Sequence, residues 1–220
     1  MEIRLGTTTK LYIGQKFFKG SKINQLTISG QQTNYERNNY QEVEIGEYAF
    51  DGINAIFPEF LFTNINTLKL RDRAFTLSDT RDHLEMNLFV ENVWQVYVHE
   101  GAFRNTLFQT QFTNIGDLQI NKDAFTGAYV TDDNQASKLS INSSFVPVLR
   151  PLKATTLKEL KIENCDIGTI ESYALDMLLI NSFILHNNKI NQIESFALPE
   201  KVIFFFFYIR FFLIIIDLFL

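Results

Sequence analysis

The sequence predicts a solenoid of stacked parallel strands, and three observations predict it. Ten residues recur five times: LYIGQKFFKG from Leu11, VEIGEYAFDG from Val43, LKLRDRAFTL from Leu68, VYVHEGAFRN from Val96 and LQINKDAFTG from Leu118. Each carries two aliphatic residues two apart and a phenylalanine five residues after the second, at Phe18, Phe50, Phe75, Phe103 and Phe125. An apolar residue three positions before the pair extends the unit to apolar-x-x-apolar-x-apolar, as in Ile65/Leu68/Leu70, Val93/Val96/Val98, Ile115/Leu118/Ile120, Leu157/Leu160/Ile162 and Ile180/Phe183/Leu185. Strand starts at 68, 96, 118, 139, 160 and 183 are then 28, 22, 21, 21 and 23 apart. A fixed period of this length is the mark of a unit that cannot bury its apolar side alone and must stack on its neighbours.

Each element follows from that unit. Strand side chains alternate, so Leu160 and Ile162 face the core while Lys161 faces outward. The phenylalanine after each strand caps the core. The tetrapeptide FTNI occurs at Phe62 and at Phe112, each time ahead of a strand pair. Polar inserts at 30–41, 78–87 and 130–138 read as loops. Before residue 60 the repeat looks irregular, because starts at 11, 26 and 43 are only 15 and 17 apart.

The segments LKELKIENCDIGTIESYAL and INSFILHNNKINQIESFAL resemble leucine-rich repeats, through Leu157, Leu160, Ile162, Cys165, Ile167, Ile170 and Leu175, and through Ile180, Phe183, Leu185, Asn188, Ile190, Ile193 and Leu198. IGEYAF at 45–50 is similar to the short Ala-Phe repeats of bacterial surface leucine-rich proteins. The resemblance implies a leucine-rich-repeat solenoid, with short parallel strands on a concave face and a mostly irregular convex side with little helix. It implies that Cys165 and Asn188 bond backbone groups of the turn in a ladder, making Cys165 a buried structural thiol. It also implies a protein-binding scaffold of the animal extracellular or cell-surface type. No signal-peptide run precedes the repeats, so a cytoplasmic setting stays open. The first repeat opens at Leu11 without a polar cap, which suggests a partial gene product.

The solenoid is expected over 1–201. From 202 the chain reads VIFFFFYIRFFLIIIDLFL, and its composition changes abruptly. Its 19 residues nearly reach the roughly 20 of a membrane helix. Arg210 and Asp217 oppose insertion, and translated intron sequence fits better than a membrane anchor. A membrane partner is expected only if this tail is a real anchor.

Composition excludes several classes. Apolar residues make up 46% of the 220, so the chain is not a disordered polypeptide. Net charge is −5 with basic residues spread along the chain, which argues against nucleic acid as a partner. The single cysteine rules out an intrachain disulfide. The HEGAF segment at His99 is not a zinc motif, and no phosphate loop, dinucleotide fingerprint or nucleophile elbow occurs. The expectation is no catalysis, no cofactor and no metal. Asn142-Ser143-Ser144 matches a glycosylation acceptor but also sits at a strand end.

What remains is the outward strand face. The spacing predicts a central column of Thr27, Glu44, Lys69, Tyr97, Gln119, Ser140, Lys161 and Ile184, flanked by Arg71, His99, Asn121, Asn142, Glu163 and His186. The expected protein-binding residues are Lys69, Arg71, Tyr97, His99, Gln119, Asn121 and Lys161. Tyr97 beside Lys69, Arg71 and His99 is the richest patch, since tyrosine and arginine are enriched among binding hot spots. The alternatives are a membrane-anchored leucine-rich-repeat receptor ectodomain fragment and a degenerate structural fragment with no specific partner.

Overall fold

A computed structural model describes residues 1–31, 40–53, 58–76, 85–104, 106–126, 137–152, 156–175, 179–197 and 205–209. Over these the chain is a parallel β-solenoid without helix. Strands alternate between two arms, and from residue 59 onward the two arms of a turn meet at a corner. First arms are β1 (Glu2–Arg4), β3 (Gln25–Ser29), β5 (Glu59–Thr63), the start of β7 (Glu85–Val98), the start of β8 (Leu107–Ile120), β9 (Lys138–Asn142), β11 (Thr156–Glu163) and the start of β13 (Leu179–Ile193). Second arms are β2 (Thr8–Ile13), β4 (Tyr40–Ile45), β6 (Thr67–Leu70), the ends of β7, β8 and β13, β10 (Phe145–Leu149) and β12 (Asp166–Ile170).

First arms pair in one parallel ladder in which Thr27, Leu61, Phe89, Gln111, Ser140, Lys161 and Ile184 lie opposite one another. Second arms form two ladders. One aligns Tyr12, Glu44, Lys69, Tyr97 and Gln119. The other aligns Phe145 with Asp166 and Lys189. Between them the buried residues change spacing, from Leu118/Ile120 to Val146/Leu149 and Ile167/Ile170. Pro147, inside β10, also has no N–H to give a ladder. That change is why the decapeptide stops after its fifth copy: the later turns use a different second arm.

This corrects the column read from spacing. Leu139 lies opposite Thr110 on the first-arm side, not opposite Leu118. The series 68, 96, 118, 139, 160, 183 therefore changes arm after 118. The short spacings before residue 60 have the same origin, since Leu11 and Val43 belong to second arms and Leu26 to a first arm. Arm length and loop length vary independently, so a period counted across both arms is accidental.

Local sequence explains the corners. Asn64, Asn92, Asn114, Ser143, Asn164 and Asn187 turn the chain between arms with φ of 50–57°. Asparagine tolerates this left-handed region better than most residues. FTNI marks this corner, with Asn64 and Asn114 at the bend. Exposed amides link neighbouring corners: Asn114 Nδ2 donates to Asn92 Oδ1 at 2.8 Å, Asn164 to Asn142 at 3.0 Å and Asn187 to Asn164 at 2.8 Å.

One residue further on, buried side chains satisfy the backbone. Asn188 Oδ1 accepts from the Cys165 N–H at 2.9 Å, and its Nδ2 donates to the Ile162 carbonyl at 2.8 Å. Cys165 Sγ donates to the Glu163 carbonyl at 3.1 Å, and burial pushes its thiol pKa up. Ser144 Oγ accepts from the Ile115 N–H at 3.1 Å and donates to the Asn142 carbonyl at 2.8 Å. Ser144, the last residue of the glycosylation match, is thus part of the corner.

The core runs along the axis between the arms. All five decapeptide phenylalanines are at most 2% exposed. They stack from turn to turn with ring centroids 5.3, 5.1, 5.1 and 4.9 Å apart and planes within 13° of parallel. Phe60 and Phe108 pack against this ladder from first arms.

In the tail, 205–209 form a strand, β14 (Phe205–Ile209), that continues the first-arm ladder beside β13. Residues 202–204 and 210–220, and most of the predicted polar inserts, lie outside the described residues. No helix among the described residues is long and apolar enough to cross a membrane.

Candidate functional site

Six of the seven predicted binding residues lie together on the outer face of the second arms. Strand pairing places Tyr97 between Lys69 and Gln119. Alternation then puts Arg71, His99 and Asn121 on the same side, two residues on. Their order is fixed by the backbone bonds of His99 N–H to the Leu70 carbonyl and of Asn121 N–H to the Val98 carbonyl, both 2.9 Å. Lys161 is not with them. It lies on the first-arm face between Ser140 and Ile184, and its Nζ pairs with Glu163 at 2.9 Å.

Four of the six are engaged inside the face: Lys69, Arg71, His99 and Gln119, whose Nε2 donates to Asp117 Oδ2 at 2.9 Å. Lys69 Nζ donates to Glu42 Oε1 at 2.9 Å. Arg71 grips Glu44 with both prongs, Nε to Oε1 at 2.9 Å and Nη2 to Oε2 at 3.0 Å. Fork-to-carboxylate pairs of this kind are geometrically specific as well as stronger than neutral hydrogen bonds. Glu42 also accepts from the Tyr40 hydroxyl and lies 3.8 Å from Lys10 Nζ.

These contacts set the charge states. The Tyr40 hydroxyl and Lys69 hold the Glu42 carboxyl below its ordinary value, and Arg71 does the same for Glu44. The same bonds push Lys69 and Arg71 up. Both ion pairs are therefore formed throughout the neutral range.

His99 completes the group. Arg71 Nη1 lies 3.3 Å from His99 Nε2. Burial, with Arg71 next, holds the imidazole below its ordinary value.

Sequence reasoning did not single out Glu42, Tyr40 or Tyr12. Tyr12 opens the row that continues through Glu44, Lys69 and Tyr97. It is 62% exposed. Its ring lies across Gly14 and Gly46: a Cβ on Gly46 would sit 2.7 Å from the Tyr12 hydroxyl, and one on Gly14 3.1 Å from the ring. The pairs Lys69–Glu42 and Arg71–Glu44 are both 27 residues apart, and that repeated offset between opposite charges was a readable signal.

On this face Lys10 and Lys69 meet Glu42 and Arg71 meets Glu44, beside rows carrying Tyr12, Tyr97, Gln119, His99 and Asn121. Among the described residues no cluster of three His, Cys, Asp or Glu could hold a metal ion. Compared with known protein families, curated proteins and solved structures, the chain matches none.

Proposed function

We propose that this chain is a recognition scaffold of leucine-rich-repeat type that binds a protein ligand through the outer face of its second arms, without catalysis or cofactor. The observation carrying this reading is the alignment of Lys69, Tyr97 and Gln119 beside Arg71, His99 and Asn121 on one rigid sheet. Tyrosine offers a large contact area on only two side-chain torsions and so loses little freedom on binding, and such residues concentrate interface energy. The side-chain ladder of Cys165 and Asn188 at the corner supports the leucine-rich reading. The regular second strand arm is what a β-helix would also have, and the recognition reading holds for either. A secreted or cell-surface setting rests on the family resemblance alone.

The test is capture of ligands from the native source by the immobilised chain, with Tyr97→Ala/Gln119→Ala beside the wild type. Neither side chain holds a partner across turns in an ion pair, so both variants fold. A protein retained by the wild type, lost by the double variant and kept by Lys161→Ala supports the reading. Identical retention by all three overturns it.

A further inference from the structure

We propose that Arg71 and His99 form an acid-sensitive latch on the second-arm face, closed when the imidazole is neutral and forced open when it gains a proton. The argument begins with donor chemistry. A guanidinium only donates hydrogen bonds, so the 3.3 Å contact from Arg71 Nη1 needs a lone pair on His99 Nε2. That fixes the neutral tautomer with its proton on Nδ1. Protonation removes the lone pair and sets two cations against each other at the same distance.

Arg71 cannot simply swing aside. Its Nε and Nη2 are tied to both oxygens of Glu44, so leaving the imidazolium means breaking a two-bond ion pair. His99 is the freer partner, and its displacement uncovers the row shared with Asn121 and the neighbouring Tyr97. The surrounding charges favour this outcome. From β6 and the turn after it come Lys69, Arg71 and Asp72, and from β4 come Glu42 and Glu44. β8 and the turn after it present uncharged Gln119 and Asn121, with Asp117 and Lys122 beyond them, and on its own strand and turn His99 has Tyr97 and Glu100. Glu42 is taken by Lys69 and Glu44 by Arg71, and Asp72, which also acts on His99, lies 3.8 Å from Arg73 Nε, so the carboxylates nearest the pair are already engaged. Burial and Arg71 holding His99 below its ordinary pKa agree with this geometry.

The latch concerns the free protein. Its use in releasing a ligand rests on the function proposed above, and the experiment separates the two because it needs no ligand. His99 is followed by the proton resonance of its ring Cε1–H between pH 8 and 4.5, with His99→Asn to assign it against His83 and His186. Near-ultraviolet circular dichroism of the same samples reports the tyrosines of the face. The expected result is a His99 midpoint below the ordinary value near 6.5, moved upward in Arg71→Met. A tyrosine signal should change with the same midpoint and be absent in His99→Asn. Should Arg71→Met not fold, Arg71→Gln is the second probe: it also removes the cation beside the imidazole and should also raise the midpoint. A His99 midpoint at or above the ordinary value, or one unmoved by both variants, overturns the proposal. So does a tyrosine signal that does not follow His99.

Discussion

Replacing Phe75 with alanine tests the central claim of the fold, that the decapeptide phenylalanines are one continuous core element. Phe75 is fully buried, with Phe50 and Phe103 stacked on its two faces at 5.1 Å and Phe60 against it at 5.7 Å. Truncating a buried phenylalanine costs about 3–5 kcal/mol in transfer and cavity terms. Each lost ring pair adds about 0.5–1.5 kcal/mol beyond buried area. Because its rings are held from both sides by neighbouring turns, the cavity cannot collapse, and the upper end, about 5 kcal/mol, is expected. Phe18, at the end of the ladder, stacks among the described residues on Phe50 and meets Phe17 edge-on, so Phe18→Ala should cost about 3 kcal/mol. Phe17, 62% exposed, supplies the control, and Phe17→Ala should stay within about 0.5 kcal/mol. Urea unfolding followed by the fluorescence of Trp94, the single tryptophan, gives the midpoints. Stacked turns contact only their neighbours and can unfold separately, so hydrogen exchange of β6 and β7 amides should accompany it. A Phe75→Ala loss no larger than that of Phe17→Ala would refute the ladder.

Three further outcomes follow from the same geometry. Asn188→Ala strands the Cys165 N–H and the Ile162 carbonyl in a buried corner and should cost about 2–4 kcal/mol by urea unfolding; Asn188→Asp, which sets a buried carboxylate oxygen against the Ile162 carbonyl, should cost at least as much. Gly101→Ala forces a side chain onto φ +66° and puts a Cβ 2.5 Å from Asp72 Oδ1, so it should lower stability by about 1–3 kcal/mol, whereas Asn92→Gly, at a corner already left-handed, should change it by under about 1 kcal/mol. Glu42 and Glu44 titrate below their ordinary value of 4.5, so their contribution is complete above that value and is lost as pH falls through the lower folded-state values; thermal melting should drop along that acid limb and be flatter in Glu44→Gln.

The solenoid was legible because its cause is local. Alternation in each arm decides which residues turn inward, and the unit recurs whenever another turn must be stacked. The buried phenylalanines followed from the same patterns, and the role of Cys165 and Asn188 from the resemblance to leucine-rich repeats. The register was less legible, because two chemically similar arms share one apolar rhythm and nothing local says which arm a segment belongs to. Lys161 and Lys69 both sit between two aliphatic residues, yet one faces the first-arm side and the other the second. Corner residues carry the missing information. Asn64, Asn92, Asn114, Ser143, Asn164 and Asn187 stand at the same place in six successive turns, and counting forward from them assigns the arms of those turns. The ion pairs of the face were hidden for the same reason, since Lys69 and Glu42 meet only once β4 and β6 are known to be neighbours.

That register changes which residues should carry recognition. In the sequence, Lys69 and Arg71 read as members of the richest binding patch, beside Tyr97 and His99. In the folded chain they are spent on Glu42 and Glu44, so replacing Arg71 leaves a carboxylate unpaired and disturbs the face before any ligand is considered. A partner gains little from them unless it offers something better than a carboxylate already fixed in place. The tyrosines are different. Tyr12 stands over glycine backbone with most of its ring exposed, and Tyr97 sits in the middle of the row with its backbone locked on both sides. Both present apolar area and a hydroxyl without a competing internal ion pair. Under the recognition reading, Tyr12→Ala and Tyr97→Ala should therefore weaken ligand retention at least tenfold while leaving the melting temperature within about 2 °C. Arg71→Ala should lower the melting temperature more than either, and loss of ligand by Arg71→Ala alone would reverse this assignment.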